Sequence, residues 1–168
     1  QGLPQVTGQQ LAAMDLDKDL AAAKEASYTL FAAQRTLDDA RDDFKDTAEA
    51  NMYSTGKYQY VAAQHQWQAA QYTYNAAVQS FETSFRTLYL QVKDYQQVLQ
   101  ASKTALATEQ DNFAAAQKKH DLGNLSDNAL ADAKDKVSEA QDKVDGAAID
   151  LFSAYNNYRW AVDHGILN

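Results

Sequence analysis

From Trp67 to Phe113 apolar side chains return at every seventh position, and no glycine or proline interrupts the chain between Lys57 and Leu122. One series is Trp67, Tyr74, Phe81, Leu88 and Tyr95; a second, four residues later, is Val78, Phe85, Val92, Leu99, Leu106 and Phe113. Two such series fall on one stripe of an α-helix, the pattern by which a helix packs against neighbours along its whole length. A strand would need alternation instead, and residues that favour strands are thinly spread here. One long helix is therefore the fixed point around which the rest of the chain must be arranged.

Turn-forming residues cluster at two interior places, Asn51-Met52-Tyr53-Ser54-Thr55-Gly56-Lys57 and Asp121-Leu122-Gly123-Asn124-Leu125-Ser126. They predict three helices, over about 9–50, 58–120 and 127–163. The middle one would be about 90 Å long at 1.5 Å per residue. Short turns make neighbours antiparallel. The expected fold is all-α: an elongated antiparallel coiled-coil rod, one long central helix flanked by two shorter ones, as a single domain over 1–168. The last helix carries one series of Leu130, Val137, Val144, Leu151 and Tyr158 and another of Ala133, Ala140, Ala147, Ala154 and Ala161. The expected helix-packing seam is Ala133, Ala140, Val144, Ala147, Leu151 and Ala154, because unbroken alanines let a neighbouring backbone come close. Gly146 beside Ala147 fits that reading. The first helix is less strict, with Leu16, Ala23, Leu30, Leu37 and Phe44 in series and Ala26, Ala33 and Ala40 beside them.

Charge and composition exclude several functions. The net charge is −8, which repels phosphates and argues against a nucleic-acid partner. No stretch approaches the 18 or so apolar residues a spanning helix requires, so no direct bilayer span is expected in these residues. No signal peptide is visible, although a trimmed start would look the same. Absence of cysteine rules out thiolate chemistry and fits an envelope protein. The three histidines, His65, His120 and His164, never share a metal-ligand spacing, and no nucleophile stands beside a base. No metal, cofactor or catalytic centre is expected, and the chain reads as no enzyme. Of the aromatic cluster near the first turn, Trp67 and Tyr74 fall on the apolar stripe. Tyr58, Tyr60 and Tyr72 fall off it and are available for an interaction surface.

The stretch from Lys119 to Leu167 resembles the hairpin tip and returning helix of TolC-type outer-membrane efflux proteins. The likeness is carried by Leu122-Gly123, a hydroxyl residue three positions on (Ser126) and an alanine ten positions after the glycine (Ala133). It continues with Ala140, Val144, Ala147 and Leu151, and with Tyr155-Asn156-Asn157-Tyr158 before Gly165. Leu88 to Phe113 is similar to the family's long descending helix, and Met14 to Ala26 to its opening one. The resemblance implies a passive conduit wall of an efflux or secretion system at the outer membrane or periplasm. It also implies assembly into a homo-oligomer, and partners in a periplasmic adaptor (membrane-fusion) protein and an inner-membrane pump. The docking tip would be Leu122, Gly123, Asn124, Leu125 and Ser126. Three departures stand out. The 51–57 turn is too short for the family's membrane-crossing β-hairpin, whose strands need about 9–11 residues each. One repeat is present where the family carries two, and Ala129 stands where an aspartate is usual. A secreted or envelope coiled-coil spacer without transport activity is the alternative.

Overall fold

A computed structural model describes residues 4–167; residues 1–3 and 168 of the expected 1–168 domain lie outside the described residues. The described chain is all-helical, with five helices and no strand, and the long helix packs against the helix before it and the helix after it. The helices are α1 (Gly8–Ala12), α2 (Leu16–Ala26), α3 (Tyr28–Ala50), α4 (Tyr58–Asp121) and α5 (Asp127–His164). Both expected turns lie between helices, after α3 and after α4.

The expected single helix over 9–50 is corrected to three. Each break is made by a side chain that prefers capping to helix continuation. Thr7 opens α1 with a capping box: Gln10 N donates to its Oγ1 at 3.2 Å, and Thr7 N donates to Gln10 Oε1 at 2.8 Å. Asp15, in extended geometry, accepts from Lys18 N at 2.9 Å and starts α2. The buried Asp19 answers it by accepting from Asp15 N at 3.1 Å. Ser27 ends α2 and begins α3 in a single residue, its buried Oγ accepting from Leu30 N at 3.3 Å.

The chain divides into two compact units. Unit 1 comprises the chain up to Met14 together with Leu88–Tyr158. Its core is Leu88 and Val92 from α4, Ala140, Ala147, Leu151, Ala154 and Tyr158 from α5, and Leu11 and Met14 from the N-terminal segment. The Tyr89 and Tyr158 rings lie 6.0 Å apart and tilted. Gln5 and Val6 border the same cavity as Leu99, Val144 and Leu151, so the N-terminal segment lies over one side of this helix pair.

Unit 2 comprises Asp15–Thr87 and the chain from Arg159 onward. Its core contains Leu20, Ala23, Leu30, Ala48, Phe81, Phe85, Ala161 and Val162. Lys24 on α2 and Glu82 on α4 form a half-buried ion pair, and the hydrogen bond from Lys24 holds the Glu82 carboxyl below the usual carboxylate range. Phe44 on α3 stacks on Trp67 at 5.2 Å and meets Tyr60 edge-on at 5.3 Å. Gly165, just past α5, lies against the α2–α3 break with φ +62. A Cβ there would come 2.3 Å from Ser27 N and 2.4 Å from Ser27 Cα. The sharp break at Ser27 and the side-chain-free residue at 165 fit each other.

Candidate docking tip and packing seam

The tip is built by the ends of two helices. α4 finishes with Lys118, Lys119 and His120, cations suited to the negative end of a helix dipole. Its last carbonyls are satisfied by two main-chain bonds: Asn124 N donates to Lys119 O and Gly123 N to His120 O, each at 2.8 Å. That reversal needs a left-handed residue, and Gly123 supplies it at φ +75. Ser126 then opens α5, its Oγ accepting from Ala129 N at 3.3 Å. His120 Nε2 lies 2.7 Å from Asp127 Oδ1, tying the end of α4 to the start of α5, and its Nδ1 is 3.8 Å from Asp121. The hydrogen bond to Asp127 raises the imidazole's pKa above its usual value, with Asp121 adding to it. Outside this brace the tip is open. Leu122 is 76 % exposed, Gly123, Asn124 and Ser126 are exposed, and Leu125 is half-buried.

The seam on α5 varies along its length. Ala140, Ala147, Leu151 and Ala154 are buried, whereas Ala133 and Val144 are half-buried. Gly146 does not belong with them: it is exposed, and an added Cβ would meet nothing within 4 Å. Its place in the middle of α5 is therefore not explained by close approach within the chain.

The His164 ring lies against Trp160, tilted by 52° with ring centroids 4.1 Å apart. Among the described residues no group of three or more histidine, cysteine, aspartate or glutamate side chains is placed to hold a metal ion, and no helix is long and apolar enough to cross a membrane.

No protein-family model matches the chain, and none of the curated proteins matches it. The features that bear on function are the tip, the seam and the exposed aromatics. Of those aromatics, Tyr58 and Tyr72 are exposed, as their position off the stripe implies. Tyr60 is not free for a partner, since its ring packs on Phe44. Met52 and Tyr53, within the first expected turn, are both exposed at positive φ, a conformation that no local motif announces for these residue types.

Proposed function

We propose that this chain is a TolC-like component of an efflux or secretion system in the cell envelope, a passive conduit wall that carries out no reaction of its own. The observation that carries the reading is the passage from a 64-residue helix, through the glycine-capped tip at 122–126, into a 38-residue helix whose alanines 140, 147 and 154 are buried. In that reading α4 and α5 pack as an antiparallel coiled coil, and the tip is the docking point for a periplasmic adaptor. Gly146 supports assembly of several copies side by side. A glycine inside a helix costs about 1 kcal/mol relative to alanine, and here it faces open space, which leaves room for a neighbouring helix.

Because the chain has no cysteine, one can be introduced at Asn124 without competing thiols. We expect Asn124→Cys to crosslink to a periplasmic adaptor of the same organism, and Leu122→Glu in the same background to reduce the yield about tenfold by placing a charge on the exposed apolar contact. Equal crosslinking with and without Leu122→Glu would remove the docking role from the tip. A second reading, an envelope or secreted coiled-coil spacer without transport, is favoured by the 51–57 turn. Seven residues join α3 to α4 there, and the described residues contain no strand.

A further inference from the structure

The chain builds the same helix-ending motif twice, with different residues at its critical position. After α4, main-chain bonds run from residue 124 back to 119 and from 123 back to 120, with Gly123 left-handed. After α3 the same two bonds recur: Tyr53 N donates to Ala48 O at 2.8 Å and Met52 N to Glu49 O at 2.9 Å. The residue equivalent to Gly123 is Met52, at φ +51, and Tyr53 follows at φ +54. Left-handed backbone costs an ordinary L-residue about 1–2 kcal/mol, which glycine avoids. Packing does not offset that cost, since Met52 is 81 % and Tyr53 61 % exposed. Tyr58, at the first position of α4, is 82 % exposed. The turn thus holds large apolar side chains in water on a strained backbone, an arrangement that persists where the strained residues serve a contact.

Size and charge select the occupant. A stable protein interface buries about 800 Å² on each partner, more than three side chains on a convex turn provide. The interfacial layer of a bilayer deforms around a small wedge, and tyrosine and methionine suit it, the one by pairing an apolar ring with a polar tip and the other by being flexible and polarizable. Over 41–57 the cations Arg41, Lys45 and Lys57 are outnumbered by the anions Asp42, Asp43, Asp46 and Glu49, and the whole chain carries −8. Such a surface gains nothing from anionic lipid. We propose that the 52–58 turn is a membrane-surface anchor, seating Met52 and Tyr53 in the interfacial layer of a zwitterionic phospholipid bilayer. This rests on the geometry of the turn and not on the efflux reading, so either can fail alone.

The test is co-sedimentation of the full chain with phosphatidylcholine vesicles. The wild type should bind, and added phosphatidylglycerol should weaken binding. The double variant Met52→Gly/Tyr53→Gly suits both φ values and keeps the main-chain cap. It should melt at the same or a higher temperature while vesicle binding falls at least about tenfold. Met52→Asn/Tyr53→Asn, polar but tolerant of left-handed backbone, should lose binding equally. Tyr72→Ser, removing an equally exposed tyrosine further along α4, should bind within about twofold of wild type. Absence of wild-type binding, stronger binding on anionic vesicles, retained binding in both double variants or an equal loss in Tyr72→Ser overturns the proposal.

Discussion

Gly165→Ala should lower the stability of unit 2 by about 4 kcal/mol, seen as a marked shift of the denaturant midpoint, because two penalties coincide at this residue. Its φ of +62 is unfavourable for any L-residue with a Cβ. The added methyl would also meet backbone: Ser27 N at 2.3 Å, Ser27 Cα at 2.4 Å and Ala26 C at 2.6 Å. A flexible side chain could swing away, but these atoms belong to the break between α2 and α3, where the Ser27 hydroxyl is engaged in capping Leu30 N. Relief requires moving a helix end off a buried core. Gly56→Ala is the matched control. An added Cβ at Gly56 meets nothing within 4 Å, so its effect should stay within about 0.5 kcal/mol. Equal and small effects at the two glycines would mean that the tail beyond α5 does not pack on the Ser27 break.

Leu151→Asp should be as severe in unit 1, costing about 5 kcal/mol or more. Leu151 is 1 % exposed. It lies at the point where the N-terminal segment, α4 and α5 converge, bordering one cavity with Val6, Leu99, Val144 and Ala148. Substitution removes a buried leucine's transfer energy and puts a carboxylate in its place, at a cavity whose lining includes both Lys103 and Asp145 besides the apolar side chains. Since whole domains are stable by only about 5–15 kcal/mol, most of that margin would go. Leu90→Asp changes the same residue types in the same unit, but at a position 58 % exposed, and should lie within about 0.5 kcal/mol of wild type. Thermal and urea melts of the pair check the difference.

What the sequence revealed and what it hid follow from the range of the interactions involved. The long helix and both turns were legible because they depend on repetition and on local residue preference. Every member of the two series of α4 is buried or half-buried, from Trp67 to Phe113. The breaks in the first helix were not read, because Asp15 and Ser27 sit among good helix formers, where a short polar side chain reads as an exposed helical position. One signal was there to be used: Thr7 and Gln10 have the spacing of a capping box. Ser27 offered none, since its role depends on Gly165, more than a hundred residues away. The same holds for Tyr60, off the heptad stripe yet seated on Phe44, and for Gly146, whose neighbour alanine is buried while it is not. At the candidate tip, Gly123 and Ser126 were legible as a helix stop and start. The His120–Asp127 brace was not, because it forms only once the hairpin brings the two helix ends together.

The efflux reading requires that copies of this chain assemble side by side into a closed ring. Sedimentation equilibrium over a rising concentration series measures that assembly without assuming any partner. We expect a limiting mass of six chains, matching the six repeats that three two-repeat chains of the resembled family would contribute. A single-chain mass persisting to the highest concentration would contradict it.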